Sequence, residues 1–237
     1  MNSMHTGEGL VKEIVLLDGS TAARILCASN LIPAPGQYLL THADGSDAPL
    51  PVPVFLAESN PQSFLAAPPL PIAWNPGTRL HLRGPLGHGF VLPTIAQRVA
   101  LVAWDNYSAR LLPLMNLAYK QEAAVTLVSD TQPDDLSLQV EVQPFSALDE
   151  VVKWADYIAV DVERRSLHEL RERFGLGQQA RGRIGSGSFI PNEMQVLIST
   201  PMPCGGIAEC GVCAVHVKHD WKMACKDGPV FALTDLT

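Results

Sequence analysis

The chain has no stretch of about twenty apolar residues, so nothing in it is long enough to cross a bilayer as a helix. It is poor in charge. Asp, Glu, Lys and Arg make up 17% of its 237 residues, where a soluble domain carries about a quarter. Such scarcity goes either with extensive buried or partner-facing surface or with compositional drift. The charge present leans negative, 17 Lys and Arg against 24 Asp and Glu for a net −7, and no basic cluster occurs. That excludes the basic stripe a nucleic-acid-binding surface depends on. Also missing are the Gly-x-Ser-x-Gly turn, the His-Glu-x-x-His pair and the phosphate-binding P-loop, so a hydrolase or a kinase has no support. The opening Met1 to Gly9 has neither the basic start nor the apolar core of a signal peptide. A cytoplasmic protein is expected, and in that reducing compartment cysteines serve as metal ligands more often than as disulfides. Hydrophobic residues at 47% provide a sizeable core, enough for one large or two small domains plus a module.

Cysteine is present where it counts. Of five, Cys204, Cys210, Cys213 and Cys225 fall within twenty-two residues with the spacing C-x5-C-x2-C-x11-C. Thiolate sulfur is a soft donor, and four such groups together suit zinc or an iron–sulfur cluster. Three ligands on one tight loop and a fourth from a separate segment is close to the C-x4-C-x2-C…C run of plant-type 2Fe–2S ferredoxins. Gly205, Gly206 and Gly211 alternate with the ligands and let the backbone come close, so that N–H groups can face the sulfurs. Structural zinc sites use two paired knuckles, and only Cys210 with Cys213 makes one. A 2Fe–2S cluster is therefore the expected cofactor, with zinc, disulfides or free thiols as alternatives. His216 and His219 lie between the third and fourth cysteines as loop histidines, since four thiols already complete a ligand set. Glu209 is expected to face solvent. Cys27 is expected to be a small buried hydrophobe.

Along the chain, Val11 to Leu17, Ala22 to Ala28, Gln37 to His42, Val52 to Leu56 and Arg79 to Arg83 have strand character and are broken by Gly- and Pro-containing turns. This predicts a small antiparallel β-barrel. The prolines from Pro49 to Pro71 predict that its middle is irregular or lies at a sheet edge. The apolar runs Arg98 to Trp104, Ala123 to Val128, Tyr157 to Val162 and Met194 to Ile198, with Leu138 to Val142, alternate with helical stretches at Ala109 to Gln121, Leu148 to Ala155 and Ser166 to Phe174. That alternation predicts a parallel α/β sheet covered by helices. Gly175 to Phe189 is expected to be a loop, with Arg181 and Arg183 solvated. The expected organisation is a flavin-binding-like barrel over residues 1–92, an α/β NAD-binding-like domain over 93–200 and a 2Fe–2S module over 201–237.

The names of those domains come from a resemblance. Cys204-Gly-Gly-Ile-Ala-Glu-Cys210-Gly-Val-Cys213-Ala-Val, followed by Ala224-Cys225-Lys-Asp-Gly-Pro-Val-Phe231, resembles the C-terminal cluster module of one family. That family is the iron–sulfur, flavin-containing electron-transfer subunit of NAD-linked dihydroorotate dehydrogenase. The likeness is strong over roughly the last forty residues and one of layout elsewhere. Gly84-Pro-Leu-Gly87-His-Gly89-Phe90, led in by Pro76-Gly77-Thr-Arg-Leu80, is similar to the turn that closes the family's barrel. The resemblance implies FAD on the barrel, NAD on the α/β domain, and docking on a catalytic FMN flavoprotein in a hetero-oligomer of pyrimidine biosynthesis.

This chain departs from the pattern at both cofactor sites. The family's glycine turn after the first α/β strand is replaced by Val102-Ala-Trp104-Asp105-Asn-Tyr107-Ser108-Ala109, which has no glycine for a close phosphate approach. Ala159-Val-Asp161-Val162 stands for its Cys-Gly-Pro turn, and NAD(H) binding is expected to be lost. Val52-Pro53-Val54-Phe55 stands for its Arg-Pro-x-Ser, and Phe64 to Trp74 offers no counterpart to the flavin-binding turn that follows. FAD would rest on Gly84, Gly87 and Gly89 with Arg79 and Arg83 alone. No catalytic residue is expected. The expected function is a 2Fe–2S electron relay between a partner flavoprotein and an unknown carrier. The alternative is a non-catalytic scaffold or regulatory subunit with a structural metal.

Overall fold

Apolar and polar residues alternate from Arg79 to Arg83, the period of a strand with one buried face, while Tyr38–Leu40 and Val54–Ala57 are continuous apolar runs suited to burial on both faces. A computed structural model describes residues 4–17, 19–131, 140–176, 193–218 and 220–236. Strands β1 (His5–Leu17), β2 (Ser20–Cys27), β3 (Tyr38–Ala43), β4 (Val52–Asn60), β5 (Ser63–Ala66) and β6 (Arg79–Leu86) close into an antiparallel barrel in the order β1-β2-β5-β4-β3-β6. Ile25, Leu39, Val54, Leu56, Phe64 and Leu82 fill its interior. The alternate positions Tyr38, Leu40, Phe55, Ala57 and Leu65 belong to a second core shared with the rest of the chain. Strand β5 is therefore buried along its whole length instead of alternating.

The proline-rich middle is irregular as expected at Pro49, Pro51, Pro61, Pro68, Pro69 and Pro71, with Pro53 the exception. Pro53 lies inside β4, opposite Leu40 of β3, and β4 continues to Asn60 before a tight turn into β5. Asn60 makes that turn: its Oδ1 accepts from the N–H groups of Gln62 and Ser63, each at 3.0 Å. Losing one ladder donor at Pro53 costs less than leaving Phe55 and Leu56 out of the two cores they join.

The second layer is a sheet of continuous apolar strands, β7 (Arg98–Ala103), β8 (Ala124–Val128), β9 (Glu141–Gln143), β10 (Tyr157–Glu163) and β11 (Met194–Ser199). Helices α1 (Leu112–Lys120), α2 (Leu148–Trp154) and α3 (Leu167–Arg173) connect them. The C-terminal part adds a hairpin, β12 (Ala214–Val217) and β13 (Asp220–Met223), then a one-turn helix α4 (Ala224–Asp227) and β14 (Val230–Ala232). The sheet order is β14-β11-β10-β7-β8-β9, parallel except for β14, which runs against β11. The cluster-loop segment is thereby stitched into the α/β sheet, a pairing the sequence did not indicate. Connections leave β7 to opposite sides, through α1 to β8 and onward to β10, so the switch point lies between β7 and β10. Open α/β sheets place ligands there. The strand expected from Leu138 and the loop with Arg181 and Arg183 fall wholly or partly outside the described residues. No helix among the described residues is long and apolar enough to cross a membrane.

Candidate metal centre

After β11 the chain enters the loop that carries Cys204, Cys210 and Cys213, and the β12–β13 hairpin returns it to Cys225 on α4. The N–H of Ala224 donates to the carbonyl of Cys213 at 3.0 Å, which ties the third and fourth cysteines together. Cys213 and Cys225 are buried, Cys204 is half-buried and Cys210 is exposed. Electrostatically, Cys204 is influenced most by Cys210, and Cys225 by Cys213 and then Cys204. Among the described residues no three His, Cys, Asp or Glu side chains converge as a single ion requires. Four thiols, three from one loop and one from the next short helix, would hold a 2Fe–2S cluster in the ferredoxin manner. The donor set fits a 2Fe–2S cluster better than one zinc.

The loop backbone serves the sulfurs. Burial acts to raise the Cys204 thiol, but the Cys210 thiol and the N–H groups of Cys210, Ala208 and Glu209 outweigh it and bring it down to about 6. Cys225 goes the other way, raised to about 12 by burial and by its neighbour Cys213. Ala208 holds a left-handed conformation at φ 65° despite its Cβ, a strain typical of sites where the backbone is aimed at something. At Gly206 (φ 79°) an added Cβ would press on the Tyr38 hydroxyl oxygen at 3.1 Å. Glu209 is exposed, as expected. His216 packs edge-on against Trp221 with ring centroids 5.4 Å apart, away from a ligand role. His219 lies outside the described residues.

Both other layers grip this module. From the barrel, the Tyr38 hydroxyl donates to the Cys225 carbonyl at 2.7 Å, and the N–H of His88 donates to the Gly228 carbonyl. From the sheet, Arg164 donates to the Val212 carbonyl, and Arg171 Nη2 to the His216 carbonyl at 2.6 Å. Gly84, Gly87 and Gly89, expected to contact FAD if anything does, are packed against the chain itself. A Cβ on Gly87 would lie 2.5 Å from the Gly228 carbonyl oxygen, one on Gly89 2.4 Å from that of Pro35, and one on Gly84 2.6 Å from Leu39. They allow close approach of backbone to backbone, and the loop they form docks the cysteine module.

The switch point is filled from inside. Arg110, buried, donates through Nε and Nη2 to the two carboxylate oxygens of Asp161 at 2.7 and 3.0 Å. Its guanidinium carbon lies 5.7 Å from the ring centre of Phe55 and 5.9 Å from that of Tyr107. Burial works against the Arg110 charge, and Asp161 outweighs it, holding the guanidinium above its ordinary value. The Asp161 carboxyl is itself pushed up by burial, with Arg110 pulling it back. We take the two-point contact as an ion pair on its geometry. Asp105, in the stretch that replaces the family's glycine turn, accepts from the Glu163 N–H at 2.7 Å and the Ser166 hydroxyl at 2.6 Å, bridging the ends of β7 and β10. Trp104 packs edge-on against Phe145, with ring centroids 5.2 Å apart. The sequence offered one signal for the ion pair. A lone carboxylate inside the apolar run of β10 demands a buried cation, and Arg110 supplies it.

Residues 200–237 match the family model described as the iron–sulfur cluster binding domain of dihydroorotate dehydrogenase B. The dihydroorotate dehydrogenase B (NAD(+)) electron transfer subunit of Desulforamulus reducens is 26% identical over 172 residues, which takes in 66% of this chain and 64% of that one. The sulfhydrogenase 1 subunit gamma of Pyrococcus furiosus is 44% identical over 48 residues, 20% of this chain and 16% of that one. The matches span less than two thirds of either curated relative. A solved structure of an NADH-dependent reduced ferredoxin-NADP oxidoreductase superposes with a TM-score of 0.70 at 16% identity, over 97% of this chain and 89% of that one. The fold is ferredoxin-reductase-like, and the chain resembles the iron–sulfur electron-transfer subunit of dihydroorotate dehydrogenase B.

Proposed function

We propose that the chain is an electron-transfer subunit that holds one 2Fe–2S cluster on Cys204, Cys210, Cys213 and Cys225 and relays electrons between a catalytic flavoprotein and a further carrier. The four cysteines of the matched cluster-binding segment, the last two buried and tied together by the Ala224 N–H on the Cys213 carbonyl, are the observation that carries it. When bound, the cluster supplies one-electron chemistry. The chain's own part is to bury Cys213 and Cys225, to keep Cys210 at the surface within reach of a docked partner, and to fix the loop from both layers through Tyr38 and Arg171. Neither the barrel nor the sheet is proposed to take its own cofactor. In support, Phe55, Arg110 and Asp161 fill the FAD- and NAD-side crevice, and the Gly84–Gly89 loop is spent on packing.

The partner we propose is an FMN-containing catalytic subunit of dihydroorotate dehydrogenase type, in a cytoplasmic hetero-oligomer of pyrimidine biosynthesis. The name of the Desulforamulus reducens relative supports that choice. The likeness of a 48-residue stretch of this chain to a sulfhydrogenase subunit favours, as a second reading, a hydrogenase-type partner for the same relay. The proposed division at residues 1–92, 93–200 and 201–237 places β14 of the last module in the sheet of the second. A scaffold role draws on the same filled crevice but leaves the four thiols without work. In the anaerobic complex with the catalytic flavoprotein, dihydroorotate is expected to bleach the cluster absorbance within the turnover time of that partner. A stable complex whose cluster stays oxidised would sink the proposal.

A further inference from the structure

The barrel wall facing the cysteine loop carries a charge that nothing else in the described chain accounts for. Arg83, on β6, is half-buried, and among the described residues its hydrogen-bond partner is the thioether of Met4, reached by Nε at 3.1 Å. A thioether is a weak acceptor and brings no charge. The guanidinium is turned to the cluster loop: a methyl group built on Gly205 would lie 3.7 Å from Arg83 Nη1. Leu40, beside it on the wall, would lie 4.0 Å from the same methyl. Tyr38 stands on this wall too, with its hydroxyl on the Cys225 carbonyl. Burial and then the thiols of Cys225, Cys213 and Cys204 raise that hydroxyl, and Arg83 acts on it in the opposite sense. The phenol is thus within electrostatic reach of both the arginine and the sulfurs.

Arg83 forms no ion pair with the exposed carboxylates near it, Glu8 and Glu209, among the described residues, which implies that the negative charge is to come from what the loop binds. A centre held by four thiolates is negative overall and becomes more so by one charge when it accepts an electron. A nearby fixed cation stabilises the reduced form more than the oxidised one. We propose that Arg83 is a positioning residue for the electron relay, a cation set by the barrel beside the Gly205–Gly206 turn that raises the potential of the cluster. The proposal rests on the four-cysteine reading of the site.

Other charges on this wall set the limits. Arg83 borders an open groove of about 420 Å³ whose lining includes Glu8, His42 and His81. Glu8 is exposed and stands across from His81, with Thr6 across from Arg83, while His81 lies 3.8 Å from Asp44. Glu209 sits on the loop itself and is exposed. Because the groove is open to solvent, the effect of Arg83 is screened by salt.

The test is a redox titration of the full chain under anaerobic conditions, followed by paramagnetic resonance, with iron and sulfide assayed in each sample. Arg83→Gln is expected to make reduction about tenfold less favourable, a drop of about 59 mV for a one-electron couple. Arg83→Lys, which keeps the charge, restores most of the loss. Glu8→Gln shifts the potential the other way. Both shifts shrink as salt is raised. An Arg83→Gln chain with wild-type iron and sulfide and an unmoved potential overturns the proposal. So does loss of the cluster in the Gln and Lys variants alike, which would make Arg83 a structural support of the loop. If wild-type protein itself holds no iron or sulfide, the four-cysteine reading fails first and takes this one with it, and the assay tells the two failures apart.

Discussion

Asp161→Ala is expected to destabilise the fold by about 3–5 kcal/mol, because it leaves the Arg110 guanidinium buried without a counter-charge. The side chains of the pair are 5% and 1% exposed, so water cannot take over for the lost carboxylate. Among the described residues the other hydrogen-bond acceptor for Arg110 is the Ser199 hydroxyl, at a long 3.4 Å. Asp161→Asn retains one acceptor and is expected to cost less. Replacing both members by apolar residues of similar volume is expected to recover most of the loss, since the desolvation of both charges is then avoided. Urea unfolding of the single and paired substitutions reads these differences directly. If Asp161→Ala unfolds within about 1 kcal/mol of wild type, the switch point is open to water and the pair does not seal it. The expected loss also bears on cofactor binding. A dinucleotide in that crevice would have to displace Asp105 from the Glu163 N–H and part Arg110 from Asp161, with no glycine turn to receive its phosphates.

Substitution among the four thiols is expected to have the second large effect. Cys225→Ser removes one of the two buried sulfurs and substitutes a harder, poorly ionised donor at a position 2% exposed. Residues that merely orient metal ligands are worth about 10–100-fold, so loss of a ligand is expected to lower electron transfer to the native acceptor by at least about a hundredfold. Iron content should fall with it. Cys27→Ser is the matched control. Its thiol, at the end of β2, is pushed up to about 11 by burial alone, and the change is expected to leave iron content and electron transfer as they are. Wild-type transfer in a Cys225→Ser chain that still assembles with its partner would mean that the cysteines serve structure only.

The cysteine loop was legible because its information is local. Three ligands and their glycines lie within ten residues, Cys204 to Cys213, and the fourth follows on the next short helix. The apolar runs of β7, β8, β10 and β11 were legible for a similar reason, since a strand buried on both faces needs no partner to announce it. What stayed hidden depends on pairs distant in sequence. Arg110 and Asp161 are 51 residues apart, and Tyr38 meets the Cys225 carbonyl across 187. Pro53 was misleading because local chemistry disfavours a strand there, while burial of Phe55 and Leu56 in two different cores favours one. The glycines of the Gly84–Gly89 loop read equally well as cofactor contacts or as a tight junction. Only the position of Gly228 against Gly87 distinguishes the two.

The most direct test is an anaerobic absorbance and paramagnetic-resonance spectrum of the purified chain, before and after dithionite, with iron, sulfide, zinc and extracted flavin assayed on the same sample. The expected result is a 2Fe–2S signal that appears on reduction, iron and sulfide in the proportion of one cluster per chain, and no stoichiometric flavin. A cluster accompanied by stoichiometric FAD would contradict the filled crevice around Arg110. Zinc in place of iron and sulfide would contradict the electron relay itself.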